Sequence, residues 1–161
     1  MAVGGKRKSS PWIGRRPFAF ATPKSKICGP FRKVREGTAR RIVKPGQVFS
    51  RIHVDDIAAA LAASLAAPTA APGETVTWNL VDDLPAAPQD VIEEAARLLG
   101  VAPPPEVPFD EAELSAMGRS FYAESKRIRN DRIKRDLALA LRFPTYREGL
   151  PAVLAAEAGT R

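Results

Sequence analysis

The sequence predicts an α/β fold, because helical and strand patterns alternate along it. Apolar residues recur every four positions over residues 57–65, the spacing of one face of a helix. A second apolar stripe runs from Pro88 to Leu99 and is followed by Gly100, a residue type that often ends helices. Thr75 to Val81 is rich in β-branched and aromatic residues between polar boundaries, which is typical of a strand.

The elements before these are predicted from turn and capping signals. We expect a short helix over Val34–Val43, which ends before the Pro45-Gly46 turn. Alternating apolar residues predict a strand over Gln47–Val54. Asp55 and Asp56 then open the helix of residues 57–65, because carboxylates in the first turn favour the positive end of the helix dipole. Pro68 should end that helix near Ala67.

The C-terminal part is predicted to be mainly helical. We expect a short helix over Asp110–Met117 and another from Asn130, a favoured N-cap residue, to Leu137. Thr145 and Glu148 have the spacing of a capping box, which should start a last helix that reaches about Ala156. Together, these sequence patterns predict two or three short strands and about five helices.

Positive charge is concentrated at the N-terminus. Residues 1–51 contain 14 Lys or Arg and a single acid, whereas the remainder has 11 Lys or Arg and 17 acids. Residues 1–32 also contain four prolines and show no periodicity, so we interpret them as a disordered basic tail before a folded region over 33–161. The single cysteine, Cys28, suits a reducing cytoplasm. Cys28 and the lone histidine cannot form a zinc site, and no metal site is expected.

Four segments of the chain resemble, in order, the extended short-chain dehydrogenase/reductase superfamily, which includes NAD-dependent epimerases and dehydratases. The similarity covers roughly residues 33–155, and Cys28-Gly-Pro30 resembles a further, weaker motif. The four segments are Arg51-Ile-His-Val-Asp-Asp-Ile57, Trp78-Asn-Leu-Val-Asp-Asp83, Ser125-Lys-Arg-Ile-Arg-Asn130 with the helix after it, and Arg142-Phe-Pro-Thr-Tyr-Arg-Glu-Gly-Leu150.

The resemblance implies the C-terminal, substrate-side part of a Rossmann-type fold. An intact member would bind NAD or NADP and a small-molecule substrate and would transfer a hydride, or epimerise or dehydrate a nucleotide sugar. This sequence lacks the glycine-rich turn that admits a pyrophosphate to a helix N-terminus. We therefore expect no cofactor-binding residue, no tight NAD or NADP binding and no activity from this chain alone.

The amino-acid composition of the basic tail is that expected when GC-rich DNA is translated in the wrong reading frame. A truncated or frameshifted gene would explain why family-like sequence begins abruptly after it, and natural truncation or fusion is the alternative. The rival function is a non-catalytic binding module whose tail binds nucleic acid through charge and the interleaved Trp12, Phe18 and Phe20. No nucleic-acid reading motif accompanies these residues, so we favour the fragment.

Arg51 is the only substrate-binding candidate. The resemblance implies a position near a substrate phosphate, which a guanidinium binds through two parallel hydrogen bonds. The alternative for Arg51 is a surface ion pair with Glu36 or Asp55. We expect structural roles for His53, beside the predicted strand, and for Asp55 and Asp56 rather than acid/base catalysis.

No catalytic residue is predicted, although Tyr122 and Lys126 have the Tyr-x-x-x-Lys spacing of the superfamily's catalytic pair. This pair follows the Arg51 motif, whereas the catalytic pair of the superfamily precedes it, so we expect Tyr122 to pack or hydrogen bond. No stretch approaches the roughly 20 apolar residues of a membrane span. An uncovered stripe of Ile57, Leu61 and Leu65 predicts self-association.

Overall fold

The computed structural model describes residues 29–67 and 75–159. They form a mixed α/β structure in which six helices surround a small two-stranded sheet, so the predicted fold class is confirmed at this level. The elements are α1 (Pro30–Arg35), β1 (Arg41–Val43), α2 (Val54–Ala66), α3 (Pro88–Leu99), β2 (Glu106–Pro108), α4 (Ala116–Phe121), α5 (Asp131–Asp136) and α6 (Tyr146–Gly159).

The two strands are parallel, with Ile42 opposite Val107. Parallel neighbours require a long crossover, and here it contains α2 and α3. Arg41 fixes this short ladder from the side, because its Nε donates to the carbonyl of Pro104 at 2.7 Å and its Nη1 lies 3.1 Å from Glu93 and 3.3 Å from Glu106. One arginine thus links β1 to α3 and to the start of β2, beside a ladder of three residue pairs.

The hydrophobic core lies where α1, α3 and α6 meet. Phe31 and Ala95 are fully buried there, and Tyr146 and Leu150 of α6 close the cluster. Helix α3 has the bounds that its sequence predicts: Pro88 occupies its first turn, and Gly100 ends it in the left-handed conformation at φ +68°. This core fixes α1 and the start of α3, which form two walls of the cleft described below.

The predicted strands over Gln47–Val54 and Thr75–Val81 are wrong. Phe49 makes an isolated antiparallel bridge with Ala86, Val54 begins α2, and the rest of both segments is irregular. The first segment lies beside residues 124–128, but side chains replace the ladder: Ser125 Oγ accepts from the Val48 amide at 3.1 Å, and Ser50 Oγ accepts from the Ile128 amide at 3.3 Å. A segment with a strand-like sequence becomes part of a sheet only where a second strand lies in register to hydrogen bond with it.

Two predicted helices are also wrong in position. The first helix is α1, which begins at Pro30 rather than Val34, so the folded part begins before Lys33. Gly37, at φ +65°, turns the chain away after α1 and leads it to β1 instead of continuing a helix to Val43. The helix expected over Asp110–Met117 is α4, because Ser115 caps it by accepting from the Gly118 amide at 3.1 Å.

The other predicted helices are confirmed. Most of their ends lie within one to three residues of the predicted positions. Helix α2 begins at Val54, α5 follows Asn130, and α6 follows Thr145. Almost all of the predicted tail, including Cys28, lies in residues 1–28, which are outside the described residues. None of the helices in the described ranges is both long and apolar enough to cross a membrane.

Candidate binding cleft

A cleft of about 600 Å³ opens beside Arg51. Four parts of the chain line it: α1 with β1, the Phe49–Arg51 segment, the first turn of α3, and residues 113–122 around α4. Clefts of this size accommodate small organic molecules. The described residues leave the cleft partly open.

Arg51 is held by main-chain carbonyls rather than by an acid. Its Nη1 donates to the carbonyls of Phe49 and Ala86, each at 2.9 Å, and its guanidinium lies 5.8 Å from the centre of the Phe49 ring. Arg51 makes no ion pair with Glu36 or Asp55, so the predicted alternative is wrong. Nε and Nη2 of Arg51 donate to no group within residues 29–67 or 75–159, so they remain for a ligand.

Burial lowers the pKa of Arg51, and the nearby Asp82 partly opposes this shift. Arginine stays protonated despite such shifts because its ordinary pKa is so high. The cleft therefore contains a charged donor that is partly removed from water. In such a setting the guanidinium attracts a phosphate more strongly than an exposed arginine does.

Two further cations line the cleft, and neither was singled out from the sequence. Lys33 of α1 and Arg40, just before β1, join Arg51, while Glu113 is the one acid among the described residues of the lining. Among the described residues, no carboxylate pairs with the side chain of Lys33 or Arg40. The excess of positive charge makes the cleft suited to an anion. The Arg40-Arg41 doublet is the sequence feature that could have indicated a cation at this site, but only Arg40 of the two lines the cleft.

Aromatic side chains form the apolar part of the lining. Phe49 packs edge-on against Tyr122, with ring centres 5.4 Å apart, and Tyr122 also contacts Phe109 at 5.1 Å. Phe121 lines the same cleft and is largely exposed. Phe49, Phe121 and Tyr122 thus place aromatic side chains in the lining with the cations, which suits a ligand with both a ring and an anionic group.

Tyr122 and Lys126 do not share a helix face. Tyr122 is the C-cap of α4, Lys126 lies in the irregular segment after it, and the Lys126 ammonium pairs with Glu124 instead. Burial raises the pKa of Tyr122, and Arg51 only partly opposes this, whereas a catalytic tyrosine needs a lowered pKa. The geometry thus supports the packing role expected for Tyr122.

His53, Asp55 and Asp56 are structural at the start of α2. His53 is the N-cap, and its Nδ1 accepts from the Asp55 amide at 3.2 Å while its ring lies 4.0 Å from that of Phe143. Asp56 is 1% exposed and accepts from the amides of Arg142 and Phe143. Asp55 points to solvent. The two carboxylates therefore do not face a common reacting group.

The described residues do not fit a dinucleotide pyrophosphate. That group needs a glycine turn that opens a helix. Here the glycines with positive φ, Gly37, Gly46 and Gly100, follow helices or lie in a turn after a strand. Within the described ranges, no group of three or more His, Cys, Asp or Glu residues could hold a metal ion.

The chain is similar to a solved structure from Silicibacter pomeroyi DSS, described as a functionally unknown conserved protein. The two share 57% sequence identity with a TM-score of 0.73, over 80% of this chain and 44% of that chain. The chain thus spans less than half the length of that relative. No protein-family model matches the sequence, and no curated protein does so.

Proposed function

We propose that this chain is the substrate-side part of an NAD(P)-dependent oxidoreductase of the extended short-chain dehydrogenase type, and that its cleft binds the phosphate end of a nucleotide-sugar-like substrate. The observation that carries the proposal is the geometry of Arg51. Two carbonyls hold its Nη1, and no described residue accepts a hydrogen bond from its Nε or Nη2. An oriented guanidinium of this kind is preorganised for two bonds to a phosphate.

The rest of the lining supports the same ligand class. Lys33 and Arg40 can share the remaining negative charge, and Phe121 and Tyr122 can contact a base or sugar ring. Burial raises the pKa of Tyr122 in the cleft lining, whereas a catalytic tyrosine needs a lowered pKa. Substrate binding and orientation are therefore the proposed contributions of this chain. A nicotinamide cofactor, which supplies the hydride chemistry in this superfamily, would have to be held by other polypeptide.

The superfamily assignment rests on the four sequence segments, three of which contact one another in the structure. Arg51 and Asp82, from two of those segments, are joined by a hydrogen bond from the Asp82 amide to the Arg51 carbonyl at 2.6 Å. Asn130, from the third, donates to the carbonyl of Val81 at 2.9 Å. These three segments thus pack together, and one of them contributes Arg51 to the cleft. A cytoplasmic location is part of the same proposal.

The test is titration of the whole chain with UDP-glucose, with UMP and glucose as partial ligands. Loss of one charge-assisted phosphate contact should weaken binding at least tenfold, so Arg40→Ala and Arg51→Ala should both raise the Kd for UDP-glucose and UMP by that factor. Arg142→Ala removes an exposed cation outside the cleft and serves as the matched control.

Arg51→Ala also removes two bonds to carbonyls, so its melting temperature must be compared with that of the wild type. The Arg40 side chain makes no such bonds to the part of the chain that the structure describes, so its variant reports on binding. The proposal fails if UDP-glucose and UMP do not bind in the millimolar range or better. It also fails if Arg40→Ala and Arg142→Ala have equal effects.

A further inference from the structure

Helix α4 forms part of one wall of the cleft without belonging to the hydrophobic core. None of its six residues is buried, and Met117 and Phe121 are 72% and 64% exposed. A helix of this length is unstable in water unless its surroundings hold it. Because α4 buries no side chain of its own, the chain on either side of it must supply that support.

Two buried residues anchor the ends of this wall. Ala112, before α4, is 2% exposed, and Tyr122, after it, is 8% exposed. The Ala112 amide donates to the carbonyl of Phe109 at 3.3 Å, and the Phe109 amide donates to the carbonyl of Val43 at the end of β1. The Tyr122 ring packs on that of Phe109, and the Tyr122 carbonyl accepts from the ammonium of Lys44. Both ends are therefore attached at the same place, beside the end of the sheet.

Between the anchors, residues 113–121 hydrogen bond to themselves and to their own ends. Ser115 Oγ accepts from the Gly118 amide at 3.1 Å, and Arg119 Nη2 donates to the carbonyl of Ala112 at 3.1 Å. Among the described residues, none outside 112–123 exchanges a hydrogen bond with this segment. A segment that is tied internally, and to the rest of the fold only at two neighbouring ends, can move as one body about those ends.

One face of α4 is directed at the cleft. Gly118 and Phe121, three residues apart on the helix and so on one side of it, both contribute to the lining. The three cations of the cleft, Lys33, Arg40 and Arg51, come from other walls. A ligand whose phosphate pairs with these cations can therefore extend its remaining part to Phe121.

We propose that residues 113–121 form a hinged flap that closes on the ring-bearing end of an anionic ligand, and that Phe121 selects ligands with a planar ring. This inference rests on the proposed function of the cleft as a phosphate-binding site. Closure covers an aromatic side chain that is otherwise largely in water. Stacking on an aromatic side chain favours a planar ring over a saturated sugar, because only the planar ring has a π-face.

The test compares UMP with ribose 5-phosphate as ligands of the whole chain. Both contain a phosphate and a sugar, but only UMP has a planar ring. Phe121→Ala should raise the Kd for UMP at least about fivefold and that for ribose 5-phosphate less than about twofold. Leu61→Ala truncates an apolar side chain of similar exposure, 57%, on α2 outside the lining, and is the matched control. It should change neither Kd by more than about twofold.

Amide hydrogen exchange of the wild-type chain distinguishes a hinged flap from a fixed wall. Saturating UMP should slow exchange across residues 113–121 at least about threefold, and ribose 5-phosphate should not. Binding of UMP without this slowing overturns the flap, and an equal effect of Phe121→Ala on both ligands overturns ring selection. Exchange that is already slow without ligand and becomes faster on dilution also overturns the proposal, because a second copy then covers Phe121.

The fate of the cleft is read from a separate variant. If Arg40→Ala weakens UMP binding but Phe121→Ala does not, the flap fails and the proposed function stands. If neither UMP nor ribose 5-phosphate binds in the millimolar range, both proposals fail.

Discussion

The carboxylate of Asp56 accepts a hydrogen bond from the backbone amide of Phe143 at 3.0 Å, although the two residues lie 87 positions apart. Its second oxygen accepts from the Arg142 amide at 2.7 Å. Asp56 is almost fully buried, so this contact ties the start of α2 to the loop before α6 in a place with little water. The adjacent Asp55 is exposed and makes a longer ion pair, at 3.7 Å, with Arg142.

Asp56→Ala should therefore lower the free energy of unfolding by about 3 kcal/mol, because two buried amides lose a charged acceptor. Asp55→Ala should lower it by about 0.5 kcal/mol, the scale of a helix-dipole contribution and an exposed ion pair. Urea denaturation followed by circular dichroism measures both. Equal losses for the two variants would contradict the structural assignment of Asp56.

Asp82 predicts a pH dependence of stability. Burial raises its pKa from the ordinary value of 3.8 to about 6, and the Leu84 amide and Arg51 only partly oppose this shift. The folded state thus binds the proton more tightly than the unfolded chain does. Through this group, stability is fully present below about pH 4 and is lost as the pH rises towards about 6.

Asp82→Asn keeps the acceptor for the Leu84 amide and removes the titration. Relative to the wild type, it should gain roughly 1–2 kcal/mol between pH 4 and pH 7.5, a value reduced from the full shift for solvent screening. The difference between the two proteins is measured by urea denaturation at both pH values, since other acids contribute to each curve alone. A constant difference, or a gain at pH 4 instead, would show that Asp82 does not titrate as described.

The helices could be predicted from the sequence because their signals are local. Thr145 and Glu148 illustrate this: the Thr145 amide donates to the Glu148 carboxylate at 3.0 Å, as a capping box requires. The Thr145 hydroxyl accepts from the Arg147 amide rather than from residue 148 as predicted. Asn130 is the N-cap position of α5 as expected, but its side chain bonds to Val81 and Asp83 instead of the helix. The sequence thus predicted where these two helices begin, but not which groups the side chains of Thr145 and Asn130 bond to.

Strands and the cleft depend on residues that are far apart in sequence. The partner of β1 is Glu106–Pro108, which contains a proline and has no strand pattern. Arg51 could be found because a sequence segment points to it. Lys33 and Arg40 join it only after α1 packs on α3, and nothing local distinguishes them from the other basic residues near the N-terminus.

Tyr122 should stabilise the fold through its ring and not its hydroxyl. The ring contacts Phe49 and Phe109, and no described residue hydrogen bonds to the hydroxyl. Tyr122→Phe should change the free energy of unfolding by less than about 1 kcal/mol, whereas Tyr122→Ala should lower it by about 3–5 kcal/mol through the cavity left behind. In a longer, active protein, Tyr122→Phe should retain most of kcat. A loss of about a thousandfold with intact folding would identify Tyr122 as a catalytic acid or base.

NAD and NADP should not bind saturably to this chain in the micromolar range at physiological salt. A pyrophosphate is held chiefly by backbone amides at a glycine turn that opens a helix, and the described residues contain no such turn. Isothermal titration calorimetry measures this, with UDP-glucose as the comparison ligand. Weak binding that disappears at about 0.5 M salt would reflect the basic N-terminal residues and agrees with the prediction. One-to-one binding that persists at that salt concentration would refute it, and would show that a dinucleotide site lies within this chain.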